Sequence, residues 1–243
     1  MMLRKWEKMP LELQTDAVRP YYEILRKKQG SLLVKRIFDV VVSALMLLAL
    51  SPVFLILAIA IKLDSPGPVF YRQVRVTQYG KQFRIFKFRS MVQNADKKGS
   101  LVTVGGDSRI TRVGSVIRKC RLDEICQLID ILRGTMTFVG TRPEVPKYVE
   151  KYTPEMMATL LLPAGVTSLA SICYKDEDRL LEGAQDVDKV YIEEVLPDKM
   201  RYNLKAIKTF SFWGDIKLMF MTVFAVLGKA YNTEEEKEPA GSK

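Results

Sequence analysis

Between Val40 and Ile61 the chain runs for 22 residues without a charged side chain, interrupted only by Ser51-Pro52 near its centre. A helix needs about 20 apolar residues to cross a bilayer, so the length suits a membrane element. The flanks do not suit a simple span. Lys35 and Arg36 precede the run, Lys62 follows it at once, and a strongly basic region comes next. A spanning helix usually leaves its positive excess on one side, so both ends read as cytoplasmic. Proline removes an amide donor and clashes with the preceding turn. A neighbouring serine hydroxyl can take up a carbonyl freed in this way. Two readings stay open: a helix-break-helix that enters one leaflet and returns to the same face, and an ordinary kinked span. Both place the chain against membrane lipid.

The charge is concentrated. Lys62 to Lys147 holds 17 Lys/Arg and 7 Asp/Glu, an excess equal to the net +10 of the whole 243-residue chain. A field of that sign suits anionic lipid headgroups, phosphate or pyrophosphate substrates, or nucleic acid. The chain has no histidine, which removes the commonest neutral-pH acid/base and the commonest metal ligand. Chemistry must fall to carboxylates, lysines or hydroxyls. Cys120, Cys126 and Cys173 form no C-x-x-C pair, so neither a zinc site nor a disulfide framework is expected. No secretory signal peptide is expected, because the apolar run begins some forty residues in and no cleavage site follows it.

Composition divides the chain into four stretches: a polar N-terminal surface appendage (1–30), the membrane element (31–63), a main domain (64–232) and a disordered polar tail (233–243). Ser65-Pro66-Gly67-Pro68 denies helix continuation. Val69–Val76 and Gln82–Arg89 are rich in β-branched and aromatic residues around a glycine-containing turn, which predicts a β-hairpin. Alternation along its second strand puts Lys87 and Arg89 on one face. Asn94–Gly106 is loop-like and Thr111–Lys119 helical. Leu122–Arg133 carries apolar residues at helical spacing, with Gly134 as its stop. Val139–Pro146 reads as a proline-bounded loop. Helices are expected over Lys151–Leu162, Asp186–Val195 and Asp198–Lys208, and an apolar helix over Phe210–Leu227 lies in the membrane interface or in the core.

Asp123-Glu124 is the strongest candidate site. Carboxylates in a first helical turn are favoured by the helix dipole alone, so position by itself is weak evidence. Three further features add weight: the absence of histidine, the nearby cations Arg118 and Arg121 that keep a carboxylate ionised, and the affinity of a helix N-terminus for phosphate. Carboxylates are known nucleophiles toward phosphorus. Magnesium, held by carboxylates and phosphate oxygens, would neutralise developing charge. Arg142, in Gly140-Thr141-Arg142-Pro143, sits on a loop that proline and glycine make rigid, and arginine grips phosphate bidentately. A surface arginine would look the same, as would Lys87 and Arg89 on a solvated strand edge. Asp176-Glu177-Asp178 and Asp186-Val187-Asp188 have D-x-D spacing, which solvated loops often share.

Several ordered motifs now converge: K-R-I-F-D (35–39), the Ser51-Pro52 break, S-P-G-P-V-F-Y-R-Q (65–73), F-K-F-R-S-M (86–91), R-I-T-R-V-G (109–114), L-D-E-I-C-Q-L (122–128) and V-G-T-R-P-E (139–144). From about Lys35 to about Thr222 the chain resembles the bacterial sugar transferases, the monotopic phosphoglycosyl transferases that start glycan assembly on polyprenyl phosphate. The resemblance implies a re-entrant helix in the cytoplasmic leaflet of the bacterial inner membrane. It implies Mg²⁺-dependent transfer of a sugar phosphate from a nucleotide (UDP) sugar to polyprenyl (undecaprenyl) phosphate, with release of the nucleoside monophosphate, by a covalent ping-pong route. By that analogy Asp123 is the nucleophile and Glu124 helps hold Mg²⁺. Lys87, Arg89, Arg118 and Arg142 serve substrate phosphate, and Asp188, followed by Tyr191, matches a late family aspartate. The chain departs from the family pattern at Thr141, Cys126, Gly134-Thr135-Met136 and Ala164–Ser168, which bears on sugar preference.

The expected fold is α+β and mostly helical: a re-entrant helix-break-helix at Ser51-Pro52, a small catalytic domain with a β-hairpin, and interfacial amphipathic helices. Expected partners are a nucleotide sugar, polyprenyl phosphate and membrane lipid, not nucleic acid; exposed apolar helices leave room for a homodimer. The rival readings are a membrane-tethered binder of nucleic acid or anionic lipid, and a metal-dependent phosphatase.

Overall fold

The apolar run folds as two helices. In a computed structural model that describes residues 3–95, 107–174 and 186–226, α2 (Gln29–Ala49) and α3 (Ser51–Asp64) follow a shorter α1 (Arg19–Lys27) and are bent against each other by 60°. Pro52 lies in the first turn of α3, where a missing N–H has no intrahelical partner to lose. It deprives the Leu48 carbonyl of a donor, and the Ser51 hydroxyl supplies one at 2.8 Å. Among the described residues no single helix is long and apolar enough to cross a membrane.

Both helices turn apolar faces outward, and α2 in addition buries polar residues, the reverse of a soluble amphipathic helix. Ile37, Val41, Leu45, Leu48, Leu55, Ile56, Ile59 and Leu63 face outward, while Lys35, Asp39 and Ser43 are buried. Each inward polar group of K-R-I-F-D has a partner in the rest of the chain. Lys35 Nζ meets Asp215 Oδ2 at 2.6 Å. Arg36 donates to the Ile131 and Leu132 carbonyls at 2.6 and 3.0 Å. Asp39 accepts from the Thr137 hydroxyl at 2.6 Å and the Phe138 N–H at 3.4 Å. At the far end Asp64 caps the next helix by accepting from Val113 N–H at 3.0 Å.

The expected hairpin forms from β1 (Phe70–Val76) and β2 (Gln82–Phe88), antiparallel, with Tyr71 opposite Lys87 and Gln73 opposite Ile85. Helix α4 (Arg112–Lys119) begins at Thr111, whose hydroxyl accepts from Gly114 N–H. The predicted 122–133 helix is a 3-10 turn, Leu122–Gln127, followed by α5 (Leu128–Arg133), and Gly134 ends it with a left-handed φ of 83°. Two short strands were not expected: β3 (Met136–Val139) and β4 (Ala164–Thr167), parallel and joined through α6 (Pro146–Val149) and a 3-10 turn over Met156–Leu161. They pass so close at Gly140 and Gly165 that a Cβ on Gly165 would sit 2.5 Å from the Gly140 carbonyl carbon. After α7 (Leu169–Cys173), α8 (Val187–Val190) runs through a π turn at Tyr191–Val195 into α9 (Leu196–Lys208). The π turn ends just before Pro197, which has no N–H for an i−4 carbonyl. Last comes α10 (Phe212–Val226), whose outer face exposes Trp213, Phe220, Val223 and Phe224, so it is not a core helix. The observed architecture is α+β, mostly helical, with a small hairpin.

The segment before α2 is less of an appendage than its composition suggests. Leu13, Val18, Tyr21, Tyr22, Leu25 and Leu32 form one buried cluster with Ala158, Leu160, Leu161, Leu204 and Ile207. Chain that precedes the bent pair and chain that follows it therefore share one core. The Asp176-Glu177-Asp178 triplet, most of the 94–106 loop and the 233–243 tail lie outside the described residues.

Candidate active site

Hairpin, α4, the 3-10 turn and the 140–144 loop enclose a cavity of about 910 Å³. Among the described residues its wall carries nine cationic side chains (Arg72, Arg75, Lys87, Arg89, Arg109, Arg118, Lys119, Arg121, Arg142) and two acidic ones, Asp123 and Glu124. The volume and sign fit a ligand with two or more anionic groups.

The dyad is aimed by local backbone. Arg121 takes a left-handed φ of 55°, uncommon for a residue with a Cβ. That turn ends α4 and swings the chain back so that Asp123 and Glu124 look into the cavity. The placement differs from the expected first turn of an α-helix. A 3-10 turn has poorer hydrogen bonds, so side chains, not a long helix dipole, set the potential here.

Glu124 is the junction. Its Oε1 accepts from Lys87 Nζ at 3.0 Å and from Arg142 Nη2 at 2.6 Å. Burial disfavours its charge, but Arg142 and Lys87 outweigh that and hold the carboxyl well below the usual glutamate range. Burial pulls the Lys87 ammonium below its ordinary value, with Glu124 opposing. Burial likewise raises the Asp123 carboxyl, with Lys87 pulling it down. The two carboxylates are thus pushed apart: Glu124 is held as an anion, and Asp123 is the more easily protonated of the two.

Arg142 is held by its loop. The Gly140 N–H donates to Thr167 O at 2.9 Å, and Thr141 O accepts from Gly165 N–H at 2.8 Å. Buried Glu144 accepts from the Tyr191 hydroxyl at 2.6 Å, and the Pro143 carbonyl accepts from Arg75 at 3.0 Å. Lys87 is held through its strand, whose Phe86 N–H donates to buried Asp130 at 2.8 Å.

Of the residues picked out from sequence, Lys87, Arg118, Asp123, Glu124 and Arg142 line one cavity. Arg89, just past the end of β2 at Phe88, also lines it. Its guanidinium donates to the Ile61, Ser65 and Pro66 carbonyls, tying the end of α3 to the hairpin. Asp188 is not in the cavity wall: it accepts from Tyr148 at 2.6 Å and from Lys147. Tyr148 packs on Tyr191 at 4.6 Å, so Asp188 reaches the site only through the residues that brace Glu144 and Arg142. Asp186 caps α8 through Lys189 N–H. Arg121 lines the cavity, as the cation expected beside the dyad, while Arg75, Lys119, Asp130 and Glu144 were not anticipated. Alternation along β1 could have found Arg75, since Gln73 and Arg75 fall on the face of Lys87 once the register is known.

Among the described residues no three carboxylate, cysteine or histidine ligands gather as a metal site. A hard divalent cation is often held by only one or two carboxylates plus substrate phosphates, and the Asp123-Glu124 pair in a cavity with room for a diphosphate fits that mode.

Residues 30–229 match the family model described as bacterial sugar transferase. The chain is 36% identical over 197 residues to the UDP-N-acetylgalactosamine-undecaprenyl-phosphate N-acetylgalactosaminephosphotransferase of Aeromonas hydrophila, covering 80% of this chain and 44% of that protein. It is 36% identical to the UDP-glucose:undecaprenyl-phosphate glucose-1-phosphate transferase of Escherichia coli K12, covering 79% and 40%. A Caulobacter vibrioides protein of that same description is 35% identical, covering 79% and 69%. The chain thus spans less than half the length of the first two relatives. It belongs to the bacterial sugar transferase family.

Proposed function

We propose that this chain transfers a sugar 1-phosphate from a UDP-sugar to undecaprenyl phosphate, giving the polyprenyl diphosphate sugar and UMP, the first membrane step of a glycan assembly. The observation that carries the reading is the Asp123-Glu124 dyad set in the cationic cavity, with Lys87 and Arg142 converging on Glu124. The relatives' names supply the substrate classes.

The chemistry divides into two displacements at one phosphorus. An Asp123 carboxylate oxygen attacks the phosphorus that bears the sugar. The P–O bond to UMP breaks, and UMP leaves with the electron pair. A phosphate oxygen of the acceptor then attacks the same phosphorus, and the Asp123 carboxylate leaves with its electrons. Arg118, Arg142 and Lys87 bind and orient the phosphates and offset their charge. Asp123 and Glu124 are the residues that would hold Mg²⁺, which when bound supplies charge neutralisation at the diphosphate.

Two features of the fold support membrane placement. The outward apolar faces of α2 and α3 suit an apolar surrounding. The core shared by residues before and after the bent pair cannot be divided by a bilayer, which supports a re-entrant element with the catalytic domain on the cytoplasmic face of the inner membrane. No observation favours a nucleic-acid binder, which leaves the acidic dyad without a task.

The test is UMP release by the purified chain with Mg²⁺ and undecaprenyl phosphate across a panel of UDP-sugars. Lipid-dependent release with one donor, together with a phosphosugar adduct that Asp123→Asn lacks, is the expected result. Sustained release beyond one equivalent of UMP without polyprenyl phosphate would favour a phosphatase, and normal turnover by Asp123→Asn would remove the nucleophile assignment.

A further inference from the structure

A second cavity, of about 490 Å³, lies behind the dyad. The two share only Lys119, Arg121, Glu124 and Arg142. Beyond that partition the chemistry changes. The first cavity is polar and cationic. The second is walled by Leu128, Ile131, Phe138, Val166, Ile172 and Met219. Its hydroxyls do not make it polar, because they satisfy one another: Thr167 with Thr222 at 2.8 Å, and Ser171 with Ser168 at 2.9 Å.

The groove runs between α2 and α10. Met46 lines it from one side and Met219, Thr222 and Val223 from the other. Met46 and Val223 are 38% and 55% exposed. They belong to the outward apolar faces of their helices, so the groove opens onto the surface read above as lipid-facing. One end is thus apolar and continuous with that surface, and the other ends at three cations beside the dyad.

We propose that this groove seats the isoprenoid segment next to the acceptor's phosphate, with Lys119, Arg121 and Arg142 receiving the phosphate at the partition. This rests on the transferase reading above. A nucleotide sugar has no apolar tail to place there. A single-chain lipid monophosphate matches both halves: a narrow apolar run for one chain, then anion-binding side chains. The charge order also orients it, since the opposite orientation would bury phosphate among Leu, Ile and Phe. Because only the partition is shared, the tail can dock without entering the donor's cavity, and UMP can leave by the polar side.

The experiment uses the full chain in detergent micelles with a diazirine-bearing C55 polyprenyl phosphate. Val223→Trp, a change at an exposed position, fills the groove. In the parent protein the label is expected on peptides carrying Met46 or α10, chased by undecaprenyl phosphate and not by equimolar phosphatidylglycerol. In Val223→Trp labelling is lost and the acceptor KM rises about tenfold or more, a common effect of altered apolar-pocket fit. Label confined to other peptides, or chased equally by phosphatidylglycerol, would overturn the assignment, as would an unchanged KM. Failure of the transferase reading shows separately, as absence of UMP release by the parent protein with every donor.

Discussion

Replacing Glu124 by glutamine keeps volume and an acceptor oxygen but deletes the charge on which Lys87 and Arg142 converge. A hydrogen bond to a charged group is worth about 1.5–3 kcal/mol and a neutral one about 0.5–1.5. Two such bonds are downgraded. The Arg142 side chain is 33% exposed, so its share is reduced by solvent screening. The expected loss is about 1.5–2 kcal/mol of ordering at the site, or roughly 10–30-fold in kcat/KM. Steady-state UMP release at saturating acceptor measures it. The stability signature has a definite sign. The folded-state carboxyl sits well below the ordinary value of 4.5, so its contribution is present above that pH and fades as pH falls toward the folded value. The difference in Tm between parent and variant should therefore shrink on acidification below about 4.5. A variant within about threefold of the parent, with a Tm difference independent of pH, would refute the view of Glu124 as the anion that holds the two cations.

Three further outcomes are expected. Adduct formation should rise with pH through a value above the 3.8 of a free aspartate, as Asp123 ionises, and fall at alkaline pH as Lys87 loses its proton below 10.5; a flat profile in a rapid-quench assay would count against both roles. Asp39→Ala strands the Thr137 hydroxyl and Phe138 N–H, at a cost of about 2–4 kcal/mol, visible as a lower Tm in detergent, and an unchanged Tm would dismiss the anchoring role of K-R-I-F-D. Gly165→Ala should prevent β3 and β4 from closing, since its Cβ meets Gly140 backbone, and a well-expressed, active variant would contradict that packing.

Much of the architecture was legible where neighbours in sequence are neighbours in space. The uncharged run with Ser51-Pro52 dictated a broken helix, down to the hydroxyl that caps the freed carbonyl. Aromatic and β-branched residues around a glycine turn dictated the hairpin, and Gly134 the end of α5. The site's residue types were also legible, because a chain without histidine but with a basic field leaves few ways to handle phosphate. The parallel β3–β4 pair was not, since strands of four residues carry too little periodicity to show.

The sequence by itself determined the bend, the hairpin, the charge and the identity of Asp123, Glu124, Lys87 and Arg142 as candidates. Only the tertiary structure decided which of them meet. Lys87 and Arg142 come to one oxygen of Glu124 from 37 and 18 positions away. Arg89, two residues on from Lys87, is instead spent on carbonyls at and just past the end of α3, and Lys35 finds Asp215 across 180 residues. Such pairings depend on how helices and strands pack, on a strand that stops one residue early, and on a left-handed turn at Arg121. Propensity acts between near neighbours, while burial forces distant polar groups to find partners once the core has closed.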